Sequence, residues 1–222
     1  MAIVDSSQRG SRRDRPAPDL FRAHDLLWGM GAEHLPEDAP AWAGEVLATG
    51  WPVVVRRAPA RDGWVAVGLR GRSREQRWAG WLLVAAVQRC SMPEALRQVA
   101  PQRELPTWQA LRQVREVLDS SGLAWGITGG AGFELATGVP VLHDASDLDL
   151  LLRTPQPFSR DAARALLAEL NQAACRIDLQ LQTPAGGLAL AEWAGEGARV
   201  MVKGDQAPVL LADPWARAEV AA

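Results

Sequence analysis

The run Asp147-Leu148-Asp149-Leu150-Leu151-Leu152, with the glycines Gly129-Gly130-Ala131-Gly132 a short way upstream, narrows what this chain can build. In a strand, residues i and i+2 share a face, so Asp147, Asp149 and Leu151 fall on one side. Leu148, Leu150 and Leu152 fall on the other, toward a core. By the strand rise, the two carboxylates stand about 7 Å apart at Cβ. Like charges this close require protonation, an arginine or a hard cation, and a cation is also what phosphate chemistry draws on. Upstream, Trp125-Gly126-Ile127-Thr128 is a short apolar run that ends at the glycines. Ala131 to Thr137 can continue as a helix until Gly138 and Pro140 stop it. A strand, a glycine turn and a helix in that order let backbone N–H groups approach a ligand and aim a helix N-terminus at an anion.

A third acid fits the same surface. Cys175 to Gln182 alternates strictly, with Ile177, Leu179 and Leu181 inward and Arg176, Asp178, Gln180 and Gln182 outward. If this strand pairs beside the first, Asp178 comes within a cross-strand spacing of Asp147 or Asp149 and completes a three-carboxylate metal site.

The rest of the chain gives these elements a setting. Its 222 residues, 48% apolar and 23% charged, suffice for one large or two small globular domains. No apolar run reaches spanning length, and Met1 to Arg15 lacks the apolar centre of a secretory signal, so the expectation is a cytoplasmic protein without membrane contact. A net charge of −2 gives no general pull toward nucleic acid. Cys90 and Cys175 are too few for a disulfide framework and read as reduced core thiols. Residues 1–19 read as a disordered tail, 20–92 as a smaller α+β N-terminal domain, the proline-broken 93–106 as a linker and 107–222 as the catalytic domain. Within the first half, Ala41 to Thr49 reads as a helix. Pro52 to Arg57 and Trp64 to Arg70 read as strands, and Ser73 to Gln88 as a helix with Trp78, Trp81, Leu82 and Ala85 at helical spacings. Arg56, Arg57, Arg70, Arg72, Arg74 and Arg77 flank these elements, either as a solvated face or as a phosphate-binding wall. His24 beside Asp25 suggests a catalytic pair, but sequence neighbours point apart on most backbones. In the second half, Thr107 should cap a helix to Ser120 and Ser159 should start another to about Ala174. Strands alternate with helices there, which argues a mixed α/β layer.

On these residues the chain resembles the nucleotidyltransferase superfamily: Gly129-Gly130, Asp147-Leu148-Asp149 and the later Asp178 follow its pattern of a phosphate-holding turn and three metal-binding acids. More specifically, it is similar to the malonate decarboxylase holo-acyl-carrier-protein synthases, the phosphoribosyl-dephospho-CoA transferases. The likeness runs through His24-Asp25-Leu26-Leu27-Trp28, Pro52 to Arg57, Val67 to Gly71, Gly132 to Gly138, Ser146 to Leu150, Thr183 to Gly187 and Asp213-Pro214-Trp215. One departure is Gly130, where that family usually has serine. The resemblance implies a nucleotidyltransferase-like mixed sheet with helices. It also implies Asp147, Asp149 and Asp178 as catalytic and metal-binding residues, Mg2+ or Mn2+ as the metal, and Gly129, Gly130 and Ser146 as phosphate-binding residues. The implied donor is triphosphoribosyl-dephospho-CoA and the implied partner an apo acyl carrier protein of malonate decarboxylase. Two other readings stay open on the residues alone: a nucleotidyltransferase acting on another small molecule or RNA, and a non-catalytic binding module with a degenerate site.

Overall fold

The structure, a computed structural model, describes residues 20–73 and 75–216. The expected tail, 1–19, and Arg74 lie outside the described residues. The fold is mixed α+β, with two main sheets that each carry their own core.

The first half contains β1 (Leu26–Trp28), α1 (Ala41–Ala48), β2 (Val53–Val55), β3 (Trp64–Arg70), β4 (Arg77–Leu83) and β5 (Arg89–Ser91). These strands form one antiparallel sheet in the order β4-β3-β2-β1-β5. Helix α1 lays Ala43, Val46 and Leu47 against Leu27, Val53, Val67 and Leu82, and ends where Gly50 takes a φ of 77°.

The helix expected over 73–88 is not formed. Residues 77–83 pair with β3 along its whole length, from Arg70↔Arg77 to Trp64↔Leu83. The alternation of Trp78, Gly80 and Leu82 toward the core was masked by Trp81 and the alanines. The Trp78 ring lies over Gly80, where any Cβ would collide with it. An interior glycine and two tryptophans also make a poor helix.

The second half contains α2 (Pro106–Ser120), β6 (Trp125–Ile127), α3 (Gly129–Thr137), β7 (Leu148–Arg153), α4 (Arg160–Leu170), β8 (Ile177–Thr183), β9 (Gly186–Ala189), α5 (Leu190–Ala194), β10 (Val200–Val202) and β11 (Val209–Leu211). The main sheet runs β6-β7-β8-β9, with β7 and β8 parallel and joined through α4, and the outer pairs antiparallel. Strands β10 and β11 form a separate antiparallel ladder. The Ser159 hydroxyl accepts from Ala162 N at 3.1 Å and caps α4 as expected. Thr107 does not cap α2: Leu105 holds the N-cap position, and the Thr107 hydroxyl donates to Ser146 O at 3.1 Å.

In the stretch 93–106, a 3-10 turn over Ala95–Gln98 buries Leu96 in the second core, and Pro93 O accepts from Ile127 N at 3.1 Å. The first half covers the polar face of β7 and β8. Gln180 meets His24 (3.1 Å between nitrogens), Arg57 donates to Gln182, and Trp51 packs edge-on against Phe133 at 5.2 Å. Leu151, on the carboxylate side of β7, is buried as well. Both cysteines are free. Cys90 is exposed on β5 rather than in the core, because its strand is at the sheet edge, and Cys175 is partly buried.

Candidate active site

Strands β7 and β8 run parallel in a register that sets Asp149 opposite Asp178, with Asp147 one residue before β7 begins. The acids therefore gather at the N-terminal edge of the parallel pair. Helix α3 starts beside them. Its glycines are not a turn ahead of the helix but its first residues, tied in by Gly132 N donating to Thr128 O (2.9 Å) and Thr128 N donating to Asp149 O (2.9 Å). The N–H groups of Gly129, Gly130 and Ala131 precede any intrahelical acceptor.

Gly129 is required here for two reasons. Its φ is +59°, and a Cβ would fall directly on the Asp149 carboxylate. That carboxylate thus lies against the positive end of α3. Gly130 is different: its backbone is ordinary, and a Cβ would press on Leu142 Cδ2 at 3.0 Å, the far end of a flexible side chain, with Val141 Cγ2 in ordinary contact at 4.0 Å.

Burial pushes the Asp149 carboxyl above its usual range. Asp178 and Asp147 add to the rise, and Arg70 and Arg176 partly oppose it. Arg176 is the nearest counter-charge: it holds both Asp178 oxygens (2.7 and 3.0 Å) and stands 3.8 Å from Asp147. As the side chains stand, no group of three or more His, Cys, Asp or Glu among the described residues is drawn tightly enough to hold a metal. The donor set still fits a hard cation in kind. It consists of carboxylate oxygens from adjacent strands, two of them exposed, around a third whose charge is disfavoured by burial and by the other two.

In the alternation of Cys175 to Gln182, Arg176 is no more than an outward polar residue. The signal for its role was its position two residues before Asp178, on the same strand face. Arg70 reaches the site from β3, with Arg77 opposite it on β4.

The segment leading into β7 is fixed from below. The buried Glu134 accepts from Val141 N (2.8 Å) and Leu142 N (3.0 Å). Arg103 donates to both of its oxygens (2.9 and 2.8 Å) and to Leu142 O (2.7 Å). Burial alone would raise Glu134, but the Arg103 hydrogen bond and these N–H groups hold it below its ordinary value. The Ser146 hydroxyl accepts from His143 N at 3.0 Å, so in this arrangement both residues serve the turn before Asp147. His24 and Asp25 do not act as a pair. Asp25 caps Arg22 N at 2.9 Å, while His24, at a φ of 78°, faces Gln180 and Arg57.

Residues 22–93 match the model of the phosphoribosyl-dephospho-CoA transferase MdcG N-terminal domain, and residues 95–214 match that of its C-terminal domain. A phosphoribosyl-dephospho-CoA transferase of Pseudomonas aeruginosa is 62% identical over 213 residues, covering 95% of this chain and 99% of that protein. This chain belongs to the phosphoribosyl-dephospho-CoA transferase family. It is accordingly a transferase enzyme. Further phosphoribosyl-dephospho-CoA transferases are similar to it at 58% identity in Pseudomonas putida (90% of this chain, 98% of that one) and at 55% in Azotobacter vinelandii (88% and 95%). No solved structure matches the chain. The two phosphoribosyl-dephospho-CoA transferase models meet at residues 93 and 95, ahead of the buried Leu96 and well before α2. Among the described residues, no helix is long and apolar enough to cross a membrane.

Proposed function

We propose that this chain transfers the 2'-(5''-phosphoribosyl)-3'-dephospho-CoA group from its triphosphate precursor to a serine of the apo acyl carrier protein of malonate decarboxylase, in the cytoplasm. In this reaction the serine oxygen forms a bond to the innermost phosphorus of the triphosphate. The bond from that phosphorus to the outer two phosphates breaks and pyrophosphate leaves, while the hydroxyl proton passes to a carboxylate or water. The observation that carries the reading is the meeting of Asp149, Asp178 and the N-terminus of α3 at one edge of the sheet.

The free N–H groups at that helix end suit phosphate oxygens, and Gly129 lets them approach without a side chain in the way. A phosphate placed there would face the Asp149 carboxylate, so a cation between the two is electrostatically required. Asp147 and Asp149 would hold Mg2+, or Mn2+ in its place, with Asp178 as third ligand or as base toward the serine hydroxyl. Once bound, the ion supplies charge neutralisation for the phosphates and the leaving pyrophosphate. Arg176 orients Asp178, and Arg70 adds positive charge from the first half. With serine absent at position 130, phosphate holding rests on backbone donors.

The test is to incubate the protein with triphosphoribosyl-dephospho-CoA, Mg2+ and apo carrier protein, and then to weigh the carrier. A mass gain equal to the prosthetic group, with one pyrophosphate released per carrier, is the expected result. A carrier of unchanged mass after incubation with folded enzyme would refute the proposal.

A further inference from the structure

At the opposite end of the parallel strands lies a cavity of about 840 Å³, walled by both halves of the chain. Sites of this volume accommodate small molecules. Five arginines line it, namely Arg22, Arg56, Arg57, Arg61 and Arg153. Among the described residues, only Arg153 of these is in an ion pair, with Glu94. Arg57 is half-buried, donating to Gln182 and standing 3.4 Å from His24 Nε2. Arg61 is held by rings rather than carboxylates, 4.5 Å over Trp64 and 5.5 Å from Trp81. Asp205 is the single acid on the lining.

Guanidinium groups gathered in a recess and short of carboxylates call for an anion, and their planar fork suits phosphate. Burial pulls the Arg57 pKa down and the charge of Arg153 adds to the fall, while Asp205 opposes both. The same walls carry Phe21, with Trp64 and Trp81 holding Arg61 in place.

This recess is separate from the aspartates. Arg153 and Gln182 lie four residues beyond Asp149 and Asp178 on the same strands, about 13 Å along by strand rise. Between the two places Leu151 is buried and Gln180 is met by His24. We infer that the arginine-lined cavity between the two sheets is a second ligand site, taking a phosphate-bearing ligand. The inference goes beyond the transfer reaction and does not rest on it. A free nucleotide and the dephospho-CoA half of a larger molecule share this chemistry.

The experiment is calorimetric titration of the full chain with ADP, dephospho-CoA and inorganic pyrophosphate, in EDTA so that no divalent ion can recruit them to the aspartates. The variants are Arg57→Gln, Arg61→Gln and Asp147→Asn, each checked by thermal unfolding. ADP or dephospho-CoA should bind the parent and Asp147→Asn alike, and should bind Arg61→Gln and Arg57→Gln at least tenfold more weakly. Arg61 is exposed at the rim, so its variant keeps the test valid should Arg57→Gln fail to fold. Binding of dephospho-CoA without ADP identifies the larger molecule as the source; binding of both identifies the nucleotide. The inference is overturned if no probe binds the parent, if Arg61→Gln binds as tightly as the parent, or if Asp147→Asn alone loses binding. Loss of transfer in Asp147→Asn with nucleotide binding intact would separate this site from the catalytic one.

Discussion

Gly129→Ala tests the geometry of the aspartate site most directly. An alanine held at the φ of +59° found there costs about 1–2 kcal/mol. Its Cβ would also fall on the Asp149 carboxylate, so either the start of α3 or the side chain must move. Together these effects should lower stability by roughly 1–3 kcal/mol. Each kcal/mol corresponds to about 2–4 °C of Tm for a chain of this size, so the fall should be on the order of 2–12 °C. Activity should fall further than stability, since a displacement of about 1 Å at a reacting centre can cost about a hundredfold in rate. Gly129→Asn separates the two causes. Asparagine tolerates the left-handed backbone but still carries the Cβ, so it should recover part of the Tm and little of the activity. The assays are calorimetric unfolding and carrier mass over time at saturating Mg2+. A Gly129→Ala protein with the parent's Tm and rate would refute the reasoning, because neither the strain nor the collision could then exist.

Asp147→Asn and Asp149→Asn should each lose nearly all transfer while staying folded. Asp149 has a folded pKa raised above its unfolded one, so its contribution to stability is lost as pH rises through the raised value; Asp149→Asn should therefore melt no lower than the parent at pH 7, and a lower Tm would contradict the burial argument. Gly130→Ser should fold with stability within about 1 kcal/mol of the parent, since only Leu142 Cδ2 must yield, and a large loss in Tm would contradict that argument. Glu134→Ala leaves the buried N–H of Leu142 and the part-buried N–H of Val141 without their acceptor and should cost on the order of 1–3 kcal/mol in urea unfolding; a midpoint equal to the parent's would contradict the clamp. His24 is held down to about 4 by burial, then by Arg57 and Arg153, so the unfolded chain binds the extra proton first. Stability should rise with pH between about 4 and 6.5, with up to about 3 kcal/mol lost at the acid end. His24→Asn should flatten that slope, and an unchanged slope in urea titrations at several pH values would exclude His24 as the source.

Much of the site was legible because it rests on local rules. Alternation placed Asp147 and Asp149 on one strand face and Asp178 on another, and the parallel register then set Asp149 opposite Asp178. The glycine run was equally plain, although it opens α3 rather than turning ahead of it, and which glycine needs its freedom was not visible: the positive φ belongs to Gly129, and Gly130 is ordinary helix. What stayed hidden depends on long-range packing. No spacing rule shows that Glu134 would reach forward to Val141 and Leu142 while holding Arg103. Nor does one show that His24 of the first half would meet Gln180 on β8.

In segment 73–88 the difference between a helix and a strand decides where the positive charge lies. As a helix, its arginines would spread around a cylinder, and with Arg56 and Arg57 they would make a single basic wall. As β4 it runs antiparallel to β3, which brings Arg77 opposite Arg70, and Arg70 acts on Asp149. Arg56 and Arg57 follow β2 at the other end and line the cavity with Arg61 and Arg153. Positive charge is therefore divided between two places, and the contact of His24 with Gln180 stands between them. Their separation by about four strand residues, roughly 13 Å, is what sets the cavity apart from the aspartates and makes substitution at Arg61 and at Asp147 independent tests.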